Sequence, residues 1–361
     1  MLLAVALFGA GQARAQPPEF PFEHPGLYLN SAEIAQIAKR IQREPEARAI
    51  YQALLEDCAR HLKLKPAPPK GEFLPSPAGV LGDEGPEQPP PPHFLLARDQ
   101  GGAARDLALA FALTGEKQYA EKAAELILAW ASSLEPKIPR NYRGWYEMVR
   151  TIPAFLYAAD LIYTSGAFSP EQLQQLRQWA GKLAKAEQAV HVRANALITA
   201  YSLNLVMCCG VVAEDRALVR WVNSAEENHD CYSYLIAELF EPSGEARKKY
   251  FRQPLRYVPS VLKGLALVAE AARHQGINLY DLEQGGRSLK KAFLFYAPYL
   301  DGTKPGPRSP FLGAGPDWSG YQLAASYWGD EAFAKVLAYH RRPAFDPDVL
   351  GPVSLTHPAK P

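Results

Sequence analysis

The sequence has almost no net charge, few cysteines and no long apolar run after its first residues. The 39 basic and 38 acidic side chains leave a formal charge of +1, so no field of the whole protein favours nucleic acid. The 4 cysteines lack the paired short spacings of metal sites, and we predict neither a metal ion nor another cofactor. No stretch approaches the roughly 20 apolar residues of a membrane span. These absences predict a globular protein whose ligand is bound by local features.

The N-terminal residues have the pattern of an export signal. Residues 1–10 are apolar, and Ala13-Arg14-Ala15 has the small-x-small form of a cleavage site. We therefore predict a signal peptide over residues 1–15, cleaved after Ala15, and a periplasmic or secreted protein. A short buried helix is the alternative interpretation of the same residues. Residues 16–29, which contain four prolines, are predicted to form an extended arm.

Helical periodicity dominates the rest of the chain. Apolar residues make up 48% of the sequence, enough for a large core, and from about Gln100 to Tyr339 they recur at helical spacing. The run Ser169-Pro170-Glu171-Gln172 is typical of a helix start, with Ser169 as the N-cap. Alternating strand patterns are rare. We therefore predict an all-α protein.

A weak internal repeat indicates how the helices pair. Residues 112–121, 326–335 and, more loosely, 212–220 each combine an apolar helix end, an acidic turn and a new helix start. This pattern is typical of helical hairpins that pack around a common core. We therefore predict an α/α toroid, an incomplete barrel of helical hairpins, as a single domain over residues 30–342.

Two proline-rich segments fall outside the helical pattern. Residues 66–92 contain ten prolines and little apolar periodicity, so we predict a long loop that is either a lid or disordered. The proline content of this loop favours a semi-rigid, extended path. Residues 343–361 are predicted to be an irregular tail.

Two polar segments stand directly before apolar helices. The first places His191, Arg193 and Asn195 before the apolar residues 197–212. The second begins at Arg247 and leads into another apolar helix; its candidate site residues are Tyr250, Arg252, Arg256 and Tyr257. Cations and tyrosines at the entrances of buried helices indicate an acidic ligand. Structural roles as helix caps, solvated turns or core aromatics remain open for the same residues.

Two further segments are candidates for binding sugar. One lies between predicted helices and mixes aromatic, cationic and amide side chains, namely Asn141, Tyr142, Arg143, Trp145 and Tyr146. Aromatic rings stack on sugars, while Asn and Arg hydrogen-bond their hydroxyl groups; the alternative is a loop whose aromatics close one end of the toroid. The other candidate is Arg98, beside Asp99, after the proline-rich loop. This pair forms either a helix-start ion pair or part of a cleft.

Four mostly structural segments, spread over residues 24–342, carry a resemblance to a known family. They are His24–Leu29, Ala110–Gly115 with Tyr119-Ala120, Pro153–Ile162 and Gly286–Ala292. In these segments the chain resembles the alginate lyase family of α/α-toroid polysaccharide lyases. The resemblance implies an α/α toroid that cleaves a uronate-containing, alginate-like glycan.

The resemblance also implies positions for the catalytic residues. The family's signature is an Asn-Asn-His run at the start of a central helix, with an Arg and a Tyr on the next long helix. In this chain only the second Asn matches, as Asn195, and Ala196 stands at the histidine position. Tyr257 takes the position of the tyrosine, with Arg252 or Arg256 as its cation.

The implied reaction is a β-elimination. The C5 proton beside a carboxylate is removed only when the charge of that carboxylate is neutralised, which is the role implied for Asn195 and an arginine. A tyrosine flanked by cations has a lowered pKa and serves as base or acid, and Tyr257 is the candidate. His191 would replace the missing imidazole if the helix extended back to it. The family's aromatic lid would fall in residues 66–92, which contain no Tyr.

Three hypotheses for the function follow. The first is an exported polysaccharide lyase. The second is a glycoside hydrolase, which needs two carboxylates about 5–10 Å apart, drawn from Asp99, Glu147 and Asp160. The third is a lyase-like protein that binds an acidic glycan without cutting it. In each case we expect a monomer whose partner is an acidic polysaccharide or oligosaccharide, with no nucleic acid and no membrane span.

Overall fold

The computed structural model of the chain describes residues 21–73, 92–191, 195–305, 318–340 and 343–360. The predicted signal peptide, Arg193 and most of the proline-rich loop lie outside these residues. Within them the chain forms 14 α-helices and one two-stranded antiparallel sheet. The all-α prediction is therefore confirmed.

The helices and strands have the following bounds in chain order. They are α1 (Ser31–Arg43), α2 (Pro45–His61), α3 (Pro92–Thr114), α4 (Lys117–Ser133), α5 (Tyr142–Leu161), α6 (Pro170–Val190), α7 (Ala196–Val212), α8 (Arg216–Trp221), α9 (Tyr232–Leu239), α10 (Pro254–His274), β1 (Glu283–Gln284), β2 (Arg287–Ser288), α11 (Leu289–Leu300), α12 (Ser319–Trp328), α13 (Glu331–His340) and α14 (Val353–Thr356).

Local sequence signals set the ends of several helices. Asn30 and Ser169 are the N-caps of α1 and α6, and each forms a reciprocal capping box with the residue three positions later. The three repeated segments are helix–turn–helix connections. Each turn holds one residue with a left-handed backbone, namely Gly115 (φ +74°), Glu214 (φ +53°) and Gly329 (φ +64°). The repeat in the sequence thus corresponds to one recurring turn geometry.

The helices α3, α5, α7, α10 and α12 form an inner ring in which neighbours run parallel. The beginnings of α5 and α7 meet through Tyr142 and Asn195, and their ends meet where the Tyr163 hydroxyl donates to the Val212 carbonyl at 3.2 Å. The start of α3 meets α5 where the Arg150 guanidinium lies 5.6 Å from the Phe94 ring. The amino ends of these helices therefore lie at the same side of the ring.

Two glycines allow the inner helices to approach closely. A Cβ added at Gly264 of α10 would lie 3.0 Å from the Ala200 Cβ of α7, and one at Gly320 of α12 would lie 3.0 Å from the Lys263 Cα. Side chains at these two positions would push the helices apart. Beyond the far end of α7, Arg216 hydrogen-bonds Gln275 just after α10, which confirms that these two helices are parallel.

The C-terminal residues close the ring between α3 and α12. Arg105 of α3 donates to the Asp346 carbonyl at 3.3 Å, and Gln322 of α12 donates to the His357 carbonyl at 2.7 Å. Most of the segment is irregular, but it includes α14 and buries a row of apolar side chains, Ala344, Val349, Leu350, Val353 and Leu355. The tail is thus an integral part of the core.

Candidate functional site

The amino ends of the parallel inner helices form one face of the toroid, which we call the mouth. It comprises the first turns of α3, α5, α7 and α10, whereas α12 begins beside Lys263, near the middle of α10. The positive ends of the helix dipoles meet there. The mouth is therefore an environment that favours a negatively charged group.

Asn195 and Tyr142 meet at the mouth. Asn195 is the exposed N-cap of α7, and its Oδ1 accepts a hydrogen bond from the Leu197 N–H at 2.8 Å. The same side chain hydrogen-bonds the Tyr142 phenol. Burial raises the pKa of Tyr142, and the hydrogen bond from Asn195 offsets part of this shift. The structure thus joins one predicted catalytic residue to one predicted binding residue.

Tyr257 and Arg256 lie in the first turn of α10, on the neighbouring parallel helix. Both are half-buried, and the Arg256 guanidinium lies 5.1 Å from the centre of the Tyr257 ring. Arg252 is exposed just before this turn. A cation over the ring stabilises negative charge on a phenol oxygen more than it stabilises the neutral group. The second predicted catalytic cluster therefore stands at the same mouth as Asn195.

His191 lies on the outer side of the ring instead. It is the C-cap of α6, its ring lies edge-on to Trp221 at 5.0 Å, and its Nδ1 is 3.9 Å from a Glu187 oxygen. Neither ring nitrogen has a hydrogen-bond partner among the described residues. His191 therefore contacts α6 and α8. The other candidate in this segment, Arg193, lies outside the described residues.

Several side chains at the start of α5 make hydrogen bonds within the protein. Asn141 caps α5 by accepting from the Gly144 N–H at 2.8 Å, and Arg143 donates to Glu147 at 2.8 Å. Trp145 is only 7% exposed, and its indole N–H lies 3.0 Å from both carboxylate oxygens of Glu187. Trp145 therefore fastens α5 to the outer helix α6.

Tyr146 belongs to the inner side of α5. Its ring meets the Tyr201 ring of α7 edge-on, with centroids 6.1 Å apart. The Arg150 guanidinium lies 4.8 Å from the Tyr146 ring. Tyr146 is only partly buried, so of the two large aromatics Trp145 and Tyr146 it is the more accessible one.

The remaining predicted binding residues are at the edge of the site. Arg98 pairs with Asp99 at 3.5 Å, and its guanidinium lies 5.7 Å from the Phe94 ring. Tyr250 is 38% exposed and donates to Glu238 at 2.5 Å, the carboxylate that also binds Lys249. Burial and then Glu238 raise the pKa of Tyr250, so its phenol stays neutral.

The three carboxylates considered for a hydrolase are placed differently from one another. The Asp99 side chain is 68% exposed, whereas Glu147 is buried and paired with Arg143. Burial raises the pKa of Glu147 in spite of Arg143. Asp160 is buried and accepts bonds from the His24 ring and two backbone N–H groups of the N-terminal arm. Asp160 also lies 13 residues beyond Glu147 on α5, about 20 Å along the axis. These placements do not favour the hydrolase.

Sequence reasoning missed the layer beneath the mouth. Arg150 of α5 and Lys263 of α10 project into the ring, where Asp346 and Asp348 of the C-terminal segment neutralise them. A sequence signal for one of them exists, because Lys263 is a lone cation within an otherwise apolar stretch of α10. A buried lysine needs a counter-charge from elsewhere in the chain.

Comparison with known proteins places this architecture in a family. The family model described as alginate lyase matches residues 95–305, which is more than half of the chain. The chain belongs to the alginate lyase family. It is accordingly a polysaccharide lyase, and the predicted α/α toroid is confirmed. No curated protein matches the chain.

Solved alginate lyases share the fold over nearly the whole chain. An alginate lyase from Bacteroides ovatus superposes with a TM-score of 0.73 at 16% identity, covering 94% of this chain and 100% of its own. Alginate lyase A1-III from Sphingomonas species A1 gives 0.72 at 19% identity, covering 96% and 100%. A histidine-to-alanine variant of A1-III, complexed with a tetrasaccharide, gives 0.73 at 19% identity, covering 95% and 98%.

The described helices also bear on membrane association. In the part of the chain that the structure describes, no helix is both long and apolar enough to cross a bilayer.

Proposed function

We propose that the mouth is the active site of a lyase that cleaves a uronate-containing, alginate-like glycan by β-elimination. The observation that supports this most is the joint placement of Asn195 and the Arg256–Tyr257 pair on the amino ends of two neighbouring parallel helices. Family membership supports the reaction class, and the positive helix ends support an anionic substrate.

The proposed chemistry begins with neutralising the carboxylate of the uronate. Asn195 and either Arg252 or Arg256 would hydrogen-bond the carboxylate oxygens, so that the charge that develops on C5 spreads into a stabilised enolate. The deprotonated Tyr257 phenol takes the C5 proton. The C4–O4 bond then breaks, a C4–C5 double bond forms, and the phenol returns its proton to the leaving O4. One residue thus serves as base and then as acid.

The substrate class rests on charge and on the solved relatives. A1-III has been crystallised as variants complexed with a tetrasaccharide. In this chain the mouth combines partly buried Tyr142 and Tyr146 with cations, which suits rings that carry carboxylates. We propose that the protein acts on acidic polysaccharides or oligosaccharides as a monomer, after export through the predicted signal peptide.

A second candidate function follows from Ala196. The family's histidine position is occupied by an alanine, so a protein that binds acidic glycan without cutting it is the alternative. His191, the histidine nearest to Asn195 in sequence, faces Trp221. Under the leading proposal, Tyr257 therefore moves the proton without an imidazole from position 196 or from His191.

An assay of unsaturated products distinguishes the two functions. The purified protein is incubated with a panel of uronate polymers that includes alginate, pectate and glucuronans, and ultraviolet absorbance of the new C4–C5 double bond is followed. We expect absorbance to rise with at least one polymer. Absence of a signal together with a polymer-induced rise in melting temperature would establish the binding function instead.

A further inference from the structure

Two tyrosines and two cations form a double layer inside the ring, just beneath the mouth. The edge-to-face pair of Tyr146 and Tyr201 makes up the upper layer. The Arg150 guanidinium lies 4.8 Å from the Tyr146 ring, and the Lys263 ammonium lies 5.8 Å from the Tyr201 ring. Each tyrosine thus has its own cation, and the four side chains come from three inner helices.

The C-terminal segment supplies both counter-charges. One Asp348 oxygen accepts from the Arg150 Nε at 3.0 Å and lies 3.7 Å from the Lys263 ammonium. Asp346 accepts from the same ammonium at 3.0 Å. The side chains of Asp348 and Lys263 are 2% and 1% exposed, so this carboxylate and this ammonium are shielded from solvent, whereas the Arg150 side chain is 25% exposed. Breaking a shielded pair leaves a costly unpaired charge.

Asp346 is held more completely than Asp348. Its carboxylate also accepts from the backbone N–H groups of Asp348, Val349 and Leu350. Although burial opposes its charge, Lys263 and these donors hold the pKa of Asp346 below its ordinary value. By contrast, the second oxygen of Asp348 is buried without a hydrogen-bond partner among the described residues. Asp346 therefore anchors the segment, and Asp348 is aimed at Arg150.

The layer lies directly below the proposed sugar site. Arg150 follows Tyr142 by eight residues, or about 12 Å along α5, and helical side chains lean toward the amino end. The guanidinium therefore reaches up beneath Tyr146, one layer below Tyr142 and Asn195. A sugar bound at the mouth would have Tyr146 as its floor, with Arg150 directly behind it.

We propose that Asp348 is a positioning residue for the sugar site, because it holds Arg150 against Tyr146 and neutralises the floor beneath the mouth. The carboxylate of a bound uronate is then drawn to Asn195 and the α10 arginines, where elimination occurs, and not to Arg150. The inference rests on the proposed function of the mouth. The inference gives Asp348, a residue of the C-terminal segment, a role in the reaction.

The variant Asp348→Asn separates this role from a structural one. It keeps the shape of the side chain but leaves Arg150 with an unneutralised charge, which competes for the substrate carboxylate. We expect kcat and KM for a uronate oligosaccharide both to fall about tenfold, since unproductive binding tightens while turnover drops. The decrease in KM should weaken as salt is added.

Glu270→Gln is the matched control. Glu270 is also a buried carboxylate that pairs with an arginine, Arg273, but it lies near the opposite end of α10. A purely structural role for Asp348 predicts that both variants lose melting temperature and keep the wild-type kcat and KM. Kinetic constants within twofold of wild type for Asp348→Asn, measured where it is folded, would overturn the proposal.

A second variant covers the case in which Asp348→Asn does not fold. Arg150→Lys keeps the charge beside Asp348 but removes the planar group that lies against Tyr146. We expect the melting temperature to be nearly kept and kcat to fall about tenfold. An unchanged kcat would contradict the role assigned to this contact.

The test also distinguishes failure of the proposed function. If the wild type cleaves no uronate polymer, the lyase proposal fails, and Asp348 is then tested by calorimetry with a uronate tetrasaccharide. We expect Asp348→Asn to bind the tetrasaccharide about tenfold more tightly than wild type and Glu270→Gln to bind it equally. Equal affinities for all three proteins would overturn the inference by itself.

Discussion

The two ends of the inner ring use charged residues in opposite ways. At the mouth, Asn195 and Arg252 are exposed and Tyr257 is half-buried. At the far end, where α5 and α10 terminate, charged groups bond one another closely. Glu33 of α1 lies 2.6 Å from the Arg273 guanidinium and 2.8 Å from the His274 ring. One end leaves polar groups accessible to a ligand, and the other satisfies them within the protein.

The far end joins several parts of the chain. Glu270 accepts from Arg273 and, at 2.9 Å, from the Tyr280 hydroxyl, and it lies 3.3 Å from the His357 ring of the C-terminal segment. His274 also bonds the carbonyl of Leu27 in the N-terminal arm. The ligand atoms of Glu33, Glu270 and His274 lie within 4.8 Å of one another, but the Arg273 guanidinium already bonds both carboxylates. We therefore interpret the cluster as an ion-pair network.

The difference between the two ends of the ring predicts which substitutions should affect activity and which should affect stability. Buried polar groups that have all their partners stabilise the fold and specify how its parts join. Polar groups that are exposed or half-buried at helix starts are accessible to a substrate. Substitutions at the mouth should therefore lower activity, and substitutions at the far end should lower stability.

The largest effect is expected for Tyr257→Phe. Removing the phenol oxygen removes the group proposed to move the proton, so kcat should fall about a thousandfold. The melting temperature should stay close to wild type because the ring and its contact with Arg256 are kept. Turnover is measured by product absorbance. Full activity in this variant would remove Tyr257 from the mechanism.

Tyr280→Phe is the matching change at the far end. The Tyr280 hydroxyl bonds Glu270 in the network and has no place at the mouth. We expect wild-type turnover and a loss of about 1 kcal/mol in the free energy of unfolding. If both tyrosine variants lost activity alike, the contrast between the two ends would be wrong.

The next effect is expected for Glu270→Gln, on stability alone. The change leaves Arg273 and His357 without their shared carboxylate, which should cost about 3 kcal/mol in the free energy of unfolding. Turnover at low temperature should be unchanged, because Glu270 lies 14 residues beyond Arg256, about 21 Å along α10. Urea unfolding and the product assay measure the two quantities. A stable variant would show that the network contributes little.

Helix content and pairing were predictable because their causes are local. Capping residues such as Ser169 and the recurring turns at Gly115 and Gly329 depend on a few neighbouring residues. The repeated hairpins then predicted the toroid, and the resemblance implied the same fold. The tail could not be placed from sequence, because the contact between Arg150 and Asp348 joins positions 198 residues apart. Contacts of such separation leave no periodicity in either segment.

The sequence predicted which helix starts carry the candidate site residues. It did not predict which way their side chains face. Asn195 and Tyr142 were both candidates, and the structure joins them by a hydrogen bond. His191 is only four residues before Asn195, but α6 ends at it and turns the ring toward Trp221. Which way a cap residue faces depends on the partner helices, so sequence spacing alone does not decide it.

A smaller effect on activity is expected for Asn195→Ala. The change removes a proposed ligand of the uronate carboxylate and the N-cap of α7, so kcat/KM should fall about fiftyfold. The lost cap should cost about 1 kcal/mol in the free energy of unfolding. Asn30→Ala is the control, since Asn30 caps α1 at the far end by accepting from the Glu33 N–H at 2.9 Å. It should lose similar stability and no activity; equal activity in both variants would exclude Asn195 from the site.

The smallest effect is expected for Glu33→Gln, and it should depend on pH. Burial opposes the charge of Glu33, but the His274 and Arg273 partners outweigh it and lower the pKa from 4.5 to about 2. Because the folded pKa is depressed, this stabilisation is complete above about pH 4.5 and is lost as pH falls toward 2. Allowing for partial exposure, the change should cost about 2 kcal/mol at neutral pH.

The difference between the two unfolding curves isolates this carboxylate. Urea unfolding of wild type and Glu33→Gln from neutral pH to pH 2 should give free energies that differ most above pH 4.5 and converge in acid. Glu331→Gln, at an exposed pair with Lys335 on α13, should follow the wild-type curve throughout. If the free energies of unfolding of wild type and Glu33→Gln differed by the same amount at every pH, Glu33 would act through packing. Charge interactions would then contribute less to the stability of the far end than its contacts indicate.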